Sequence, residues 1–193
     1  MSPLEDALQA LEVDVSTAVA ERLQRYLDTL ESWNRRMNLT ALSGLERARR
    51  LVAEPLWVAA TLSPRGHYVD VGSGNGSPAI PWLAAHAFAR GAMVESRQRR
   101  AVFLQLAARR LALPASAYPQ RLDAFVAAPP FPAADWVTLQ GVRFTEEIHE
   151  QIRQIAAEHT QIVWFTHDRT PPAPPVQTLE IPGTDRCAMV FEA

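Results

Sequence analysis

The sequence contains no lysine, so all 19 of its basic residues are arginine. It has a single cysteine, Cys187, which excludes a disulfide bond within the chain. No hydrophobic run approaches the ~20 residues of a membrane-spanning helix, and the first residues include acids where a signal peptide has a basic segment. These absences predict a soluble, cytoplasmic protein with no membrane partner, and a length of 193 residues predicts one domain.

The formal net charge of −2 argues against a protein that coats nucleic acid by bulk charge. The charge is unevenly distributed, however. Residues 1–121 hold 15 arginines and 11 acids, a net charge of +4, whereas residues 122–193 hold 4 arginines and 10 acids, a net charge of −6. The first part therefore allows a local basic surface, and the simpler interpretation is that its arginines lie on solvated helix faces.

The hydrophobic pattern changes near residue 63. Before it, an apolar stripe from Leu23 to Trp33 predicts an amphipathic helix, and a second helical stretch from Leu45 to Leu62 should kink or restart at Pro55. After it, the pattern predicts strands at 68–71, 92–95, 136–139, 161–165, 177–181 and 187–191, and helices at 80–88, 97–111 and 145–159. This alternation predicts an α/β fold with a central, mostly parallel sheet and helices on both faces (63–193), preceded by an N-terminal helical extension (1–62).

A glycine-rich turn follows the strand predicted at 68–71. Gly72, Gly74 and Gly76 form the spacing G-x-G-x-G, and the acid Asp70 precedes them. Glycines suit a loop in which a ligand contacts the backbone and positive φ is required. Dinucleotide sites use G-x-G-x-x-G, whereas alternate glycines after an acid are typical of S-adenosylmethionine sites, because an acid suits a ligand with sulfonium and ammonium groups. The alternative is a purely structural turn.

A second acid, Glu95, follows the next predicted strand, 19 residues beyond Gly76. At the end of a second parallel strand, an acidic side chain can accept hydrogen bonds from both ribose hydroxyls of a nucleoside cofactor. The sequence thus has the order that a nucleoside-binding site requires: a strand, a loop, a helix, a second strand and an acid.

Five segments carry a more specific pattern. They are Trp33-Asn34 with Met37-Asn38-Leu39-Thr40, the run Val69 to Pro81, Glu95-Ser96 with Arg99, Arg100, Phe103 and Leu104, the pair Arg121 and Asp123, and Ile181-Pro182 to Arg186. They resemble the segments W-N-x-x-x-N-L-T, V-D-V-G-S-G-x-G-x-P-G-I-P, E-S-x-x-K-K-x-x-F-L, R-x-E and P-x-x-x-x-R of the bacterial small-subunit rRNA guanine-N7 methyltransferases, the RsmG family, also called glucose-inhibited division protein B. The resemblance covers nearly the whole chain.

The resemblance implies a Rossmann-like class I methyltransferase that uses S-adenosylmethionine, without a metal, to methylate N7 of a guanine in 16S rRNA of the small ribosomal subunit. The expected cofactor residues are Asp70, Gly72, Ser73, Gly74, Gly76, Pro78, Glu95, Ser96, Arg121, Leu122 and Asp123. Asn38, Gln140 and Arg143 are the candidate catalytic residues, at the target base. The candidate RNA contacts are Arg35, Arg36, Arg49, Arg50, Arg97, Arg99 and Arg100. We expect reversal of Arg99 and Arg100 to glutamate to weaken RNA binding while leaving cofactor affinity nearly intact.

The sequence departs from the family at three positions near the expected reaction centre. The family segment R-H-x-x-D-S is replaced by a run in which Leu51 takes the place of histidine and Pro55 that of serine, and Gln140 stands where the family has an arginine. Guanine N7 already presents a lone pair, so its methylation needs no catalytic base. Two alternatives remain: a non-catalytic RNA- or ribosome-binding relative that retains the cofactor fold, and a methyltransferase for a small molecule or protein.

Overall fold

The computed structural model describes residues 2–193. The helices are α1 (Pro3–Ala10), α2 (Thr17–Met37), α3 (Gly44–Ala48), a π-helical turn (Arg49–Ala53), α4 (Glu54–Leu62), α5 (Ala79–Ala85), α6 (Gln98–Arg110), α7 (Leu122–Val126) and α8 (Glu146–Arg153). The strands are β1 (Gly66–Val71), β2 (Phe88–Val94), β3 (Ala115–Tyr118), β4 (Ala134–Gln140), β5 (Ala156–Thr166), β6 (Gln177–Glu180) and β7 (Cys187–Glu192). Within these residues, no helix is long and apolar enough to cross a lipid bilayer.

The seven strands form one sheet in the order β3-β2-β1-β4-β5-β7-β6. Strands β1 to β5 are parallel, and β7 and β6 pair antiparallel at one edge. The predicted mostly parallel sheet is therefore confirmed. The chain proceeds from β1 to β2 and β3 on one side and then returns to β4 on the other, so the strand order reverses between β1 and β4. In open α/β sheets, ligands bind outside the carboxyl ends of the strands at such a point.

Helices cover both faces of the sheet because side chains alternate along each strand. In β1, Tyr68 packs in a core with Leu23, Trp82 and Phe103. The next residue, Val69, packs in a second core. The first core joins the N-terminal helices to α5 and α6, and the second lies under α7 and α8, so the N-terminal helices share one continuous core with the sheet.

The second helical stretch continues through Pro55 by a local change of hydrogen bonding. The N–H of Glu54 donates to the carbonyl of Arg49, five residues earlier, which is the hydrogen bond of a π-helix. Proline has no N–H, so it is tolerated near the start of a helix, and Pro55 is the second residue of α4. The expected restart takes the form of a π-helical turn followed directly by α4. Trp82 Nε1 donates to the Pro55 carbonyl at 2.8 Å.

Two predicted helix ends are wrong. The helix expected at 80–88 ends at Ala85, and the helix expected at 145–159 ends at Arg153, because β5 begins at Ala156. In β5, Thr160 Oγ1 accepts a hydrogen bond from the Ala157 N–H and donates to the Ala134 carbonyl. The sequence pattern predicted neither β3 nor α7. β3 forms by pairing with β2, which a local pattern does not reveal.

Candidate cofactor and reaction pocket

A cleft opens at the carboxyl ends of β1, β4 and β5. It has a volume of about 640 Å³. Its lining comprises Leu39, Thr40, Leu42, Arg50, Leu51, Gly72 to Asn75, Ser77, Arg100, Gln140 to Arg143, Trp164 to Asp168 and Arg186. We call this cleft the central pocket. It lies where the sheet order reverses, so the fold and the glycine loop indicate the same site.

The glycine loop adopts the backbone conformation that its spacing predicts. Gly72, Gly74 and Gly76 have φ values of +74°, +48° and +94°. A Cβ atom at Gly72 would overlap Val142 Cγ2, and one at Gly76 would lie 2.5 Å from Ile80 Cδ1. Gly74 has no comparable obstruction. Two of the three glycines are thus needed for space as well as for backbone conformation.

Glu95 is a buried acid that hydrogen-bonds to the backbone of the glycine loop. Its side chain is 5% exposed, and Oε2 accepts a hydrogen bond from the N–H of Gly74 at 3.0 Å. Oε1 accepts from the N–H of Arg97 at 2.8 Å, immediately before α6. The carboxylate therefore ties the loop after β1 to the end of β2, which is the position predicted for a ribose-binding acid.

Asp70 lies buried beneath the same loop with an exposure of 1%. Thr138 Oγ1 donates to Asp70 Oδ1 at 2.6 Å, and the hydroxyl groups of Tyr68 and Thr138 are also 2.6 Å apart. The other oxygen, Oδ2, has no hydrogen-bond partner within residues 2–193. Burial raises the pKa of Asp70 to about 7, against the lowering effect of the hydroxyl hydrogen bonds.

These features fit a nucleoside cofactor that carries a positive charge. A buried carboxylate oxygen without a partner is costly, and a cationic group above the loop would compensate it. A Cβ atom at Gly74 would come no closer than 3.6 Å to any neighbouring atom, so the backbone of this residue is not crowded. The acceptor oxygens of Asp70 and Glu95 thus agree with a ligand that presents cationic and hydroxyl groups.

Gln140, at the end of β4, contacts both the glycine loop and a distant arginine. In the amide orientation that satisfies both neighbours, its nitrogen donates to Ser77 Oγ at 2.9 Å and its oxygen accepts from Arg186 Nη2 at 3.2 Å. Arg186 belongs to the segment before β7 and lines the central pocket. A guanidinium group is therefore present beside Gln140, although position 140 itself is not arginine.

Glu54 holds Arg186 in place. This glutamate is 1% exposed, and its Oε2 lies 2.9 Å from Arg186 Nη1 in an ion pair. Arg49 Nε lies 3.6 Å from the other oxygen. Burial raises the pKa of Glu54 and the neighbouring arginines oppose that shift. Glu54 and Arg186 are not among the site residues predicted from the sequence. A single acid within the apolar run from Leu51 to Val58 was the available signal.

The structure brings together some of the other predicted residues and separates others. Gln140 and exposed Arg143 both line the central pocket, whereas Asn38 ends α2 in a left-handed conformation and lines a neighbouring cleft. Pro78 immediately precedes α5, and neither Pro78 nor Gly76 belongs to the lining of the central pocket. Ser96, Arg121, Leu122 and Asp123 lie after β2 and β3, outside the lining of the pocket. Arg121 and Asp123 form an exposed ion pair at 3.5 Å.

The predicted RNA-contacting arginines fall into two groups. Arg49 and Arg50 pair with Glu54 and Glu46, each at 3.6 Å. The others form no ion pair with an acid anywhere in residues 2–193 and surround the ends of α2 and α6: Arg35, Arg36, Arg97, Arg99 and Arg100. We call these five residues the unpaired arginine cluster. Arg100 also lines the central pocket.

Comparison with known proteins identifies relatives along most of the chain. The sequence profile of the family described as rRNA small subunit methyltransferase G matches residues 19–169. A protein of Nitratidesulfovibrio vulgaris named ribosomal RNA small subunit methyltransferase G is 32% identical over 167 residues, 83% of this chain and 76% of that protein. A protein of the same name from Wolinella succinogenes is 26% identical over 170 residues, 88% of this chain and 86% of that protein.

Solved structures share the fold at low sequence identity. An O-methyltransferase from Bacillus cereus in complex with SAH superposes with a TM-score of 0.59 at 13% identity, covering 90% of this chain and 91% of that one. A mutant of MtNAS in complex with S-adenosylmethionine gives a TM-score of 0.62 at 13% identity, covering 89% of this chain and 71% of that one. The predicted Rossmann-like methyltransferase fold is confirmed.

Proposed function

The chain belongs to the rRNA small subunit methyltransferase G family, and from that membership we propose that it transfers a methyl group from S-adenosylmethionine to N7 of a guanine in 16S rRNA of the small ribosomal subunit. The observation that carries the proposal is the range of the family match. Residues 19–169 include the glycine loop, Asp70, Glu95 and Gln140, so the similarity spans the proposed cofactor site and most of the central pocket.

The proposed cofactor site consists of the glycine loop and its two acids. S-adenosylmethionine, when bound, supplies an electrophilic methyl group on a sulfonium. Asp70 provides a buried negative charge for the cationic part of the ligand, and Glu95 provides a carboxylate for the ribose hydroxyls. The residues after β3, Arg121 to Asp123, are assigned to the adenine end. The backbone of the glycine loop allows the ligand to approach closely.

The chain's own residues orient and enclose the base. Because N7 attacks with a lone pair, no group has to remove a proton first. Arg186, held by Glu54, presents guanidinium donors for guanine O6, an arrangement that leaves the lone pair of N7 free. Gln140 fixes that guanidinium relative to the glycine loop. The side chains of Trp164 and Phe165 line the same pocket and limit the access of water.

The absence of arginine at position 140 favours a second candidate function, a non-catalytic RNA-binding relative. The guanidinium of Arg186 beside Gln140 supports the catalytic candidate instead, because the pocket retains a cation at that place. Clustering of the five unpaired arginines favours RNA over a small-molecule substrate.

Incubation with labelled S-adenosylmethionine and small ribosomal subunits that lack the modification tests the proposal. The labelled methyl group should appear in the RNA fraction, and Glu95→Ala should abolish transfer together with cofactor binding measured by calorimetry. Binding of the cofactor without transfer would support the non-catalytic candidate. Label in protein, or in an added small molecule, would refute an RNA substrate. Undiminished cofactor affinity in the variant would refute the proposed cofactor site.

A further inference from the structure

An apolar cleft separates the C-terminal end of α2 from the first turns of α6. It has a volume of about 480 Å³ and is lined by Ser32, Trp33, Arg35, Arg36, Met37, Gln98, Arg99 and Val102. We call it the α2–α6 cleft. Its apolar surface comes from Trp33, Met37 and Val102, and Val102 is 49% exposed. The function proposed above does not use this cleft.

The Trp33 side chain packs against the core on one side and lines the cleft with its exposed surface. Its ring packs against Phe103 of the core, with the ring centroids 5.9 Å apart and the planes inclined by 56°. The side chain is only half-buried, and its remaining surface faces the cleft. A fixed aromatic ring with exposed surface is the arrangement on which unpaired nucleic-acid bases stack.

The rim of the cleft carries arginines that form no ion pair with an acid of the described chain, residues 2–193. Arg35, Arg36 and Arg99 line it, and Arg97 and Arg100 lie on the adjoining surface. Arginines in the first turn of α6 oppose the dipole of that helix, which has no acid there and no side-chain cap. Helix stability therefore does not explain them, whereas a bound phosphate would suit both the guanidinium groups and the helix terminus.

A third cleft adjoins both the α2–α6 cleft and the central pocket. It is lined by Arg36, Met37, Asn38 and residues 97–100. It shares Arg100 with the central pocket, and it shares Arg36, Met37, Gln98 and Arg99 with the α2–α6 cleft. An extended RNA strand with one base in the central pocket could therefore follow an arginine-lined surface to Trp33.

We infer that the α2–α6 cleft binds a second, unstacked base of the substrate RNA, near the target guanine, by stacking on Trp33 while the unpaired arginine cluster contacts the flanking phosphates. The inference rests on the proposed RNA substrate. An apolar floor within a positive rim suits a nucleotide, because sequence-specific RNA proteins stack splayed bases on aromatic side chains and hold the backbone with arginine. A hydrophobic protein segment would leave these five guanidinium groups without anionic partners.

The test measures the dissociation constants of unmodified small subunits and of protein-free 16S rRNA for matched variants. Trp33→Leu should weaken binding to both probes by about 5- to 100-fold, the effect of losing one base–aromatic stack. Trp33→Phe should recover most of that loss. The control Trp57→Leu alters a half-buried tryptophan that lines none of these clefts, and it should change affinity by no more than about twofold.

A second pair of variants keeps the test valid if Trp33→Leu does not fold. Val102→Glu places a carboxylate in the cleft at an exposed helix position and should weaken RNA binding about tenfold. Val176→Glu adds the same charge at another exposed valine and should leave affinity nearly unchanged. The salt dependence separates stacking from phosphate contacts: Trp33→Leu should keep the slope of log K against log salt, whereas Arg36→Gln should reduce it by about 1.

Wild-type affinity in both Trp33→Leu and Val102→Glu would overturn the inference, even if the protein methylates RNA. Weaker binding to small subunits with unchanged binding to 16S rRNA would also overturn it, because the occupant would then be a ribosomal protein. Failure of the wild-type protein to transfer methyl groups, with the predicted loss of RNA binding in the variants, would instead refute only the proposed catalytic function.

Discussion

The Asp70 carboxyl group combines a buried position with a pKa near neutrality. Its Oδ2 atom has no hydrogen-bond partner within the described chain, and burial raises its pKa from the ordinary value of 3.8 to about 7. Because the folded-state pKa is raised, the contribution of this group to stability is full below about pH 4 and is lost as the pH rises through about 7. Relative to Asp70→Asn, the wild-type protein should therefore lose stability over that interval.

Burial favours the protonated form of Asp70, and a cationic ligand should oppose this because it stabilises the ionised carboxylate. We predict that the S-adenosylmethionine affinity of the wild-type protein, divided by that of Asp70→Asn, rises about tenfold between about pH 6 and about pH 8. Calorimetric titration of both proteins across this range measures the ratio, which largely cancels titration of the ligand's own amino group. A ratio independent of pH would show that Asp70 does not sense the charge of the ligand.

At the scale of elements, the loop between β1 and α5 depends on two different properties of glycine. All three glycines have positive φ, and an alanine in that conformation costs about 1–2 kcal/mol. Only Gly72 and Gly76 would also force a Cβ into a neighbouring side chain. Val142, the neighbour of Gly72, extends from the loop after β4.

We predict that Gly72→Ala lowers the free energy of unfolding by about 3 kcal/mol and Gly74→Ala by about 1 kcal/mol, because only the first adds an overlap to the conformational cost. Urea denaturation measures both values. The double variant Gly72→Ala with Val142→Ala removes the obstructing methyl group and should recover part of the loss. Equal destabilisation by the two single variants would contradict this explanation.

The buried ion pair between Glu54 and Arg186 connects α4 to the segment before β7. Removal of one partner leaves an uncompensated buried charge, so we predict that Glu54→Gln destabilises the protein by about 3 kcal/mol. It should also lower the rate of methyl transfer, because Arg186 would lose its fixed position.

Replacement of both partners separates these two effects. Glu54→Leu with Arg186→Met should restore most of the stability, since no charge remains buried, but should not restore transfer. Thermal or urea unfolding combined with the methyl-transfer assay measures both outcomes. Full transfer by the stable double variant would remove Arg186 from the proposed site.

Local patterns in the sequence were sufficient for the elements that repeat a simple period. The apolar stripe of α2 and the alternate glycines predicted a helix and a ligand loop, since both depend on residues a few positions apart. The contact of Glu54 with Arg186 joins residues far apart in the chain, and only the folded sheet brings them together. β3 was missed because Ala115–Tyr118 is short and lacks branched residues, and it forms by pairing with β2.

At the scale of the whole molecule, the arginines of the first 121 residues do not act as one surface. Arg49 and Arg50 are ion-paired, whereas the unpaired arginine cluster surrounds the clefts between α2 and α6.

Arg100 Nη1 would lie 3.8 Å from a Cβ at Gly74. Reversal of Arg100 is therefore expected to disturb cofactor binding as well, and the pair Arg35 and Arg99 is the better choice for isolating RNA contacts.

We predict that Arg35→Glu with Arg99→Glu reduces the slope of log K against log salt for 16S rRNA by about 2, with S-adenosylmethionine affinity unchanged, because two phosphate contacts are lost. The control Arg109→Glu with Arg110→Glu changes the net charge equally at exposed positions in the last turn of α6. Filter binding at several salt concentrations measures both. The same slope in the two double variants would mean that only the total charge matters.

Identification of the methylated atom is the decisive test of methyl transfer to N7 of a guanine in the RNA of the small subunit. Small subunits lacking the modification are incubated with the protein and S-adenosylmethionine, and the extracted 16S rRNA is digested to nucleosides and analysed by mass spectrometry against standards. We predict 7-methylguanosine at a single site, absent with Glu95→Ala. A methyl group on another atom or in another molecule, or no transfer despite measured cofactor binding, would contradict it.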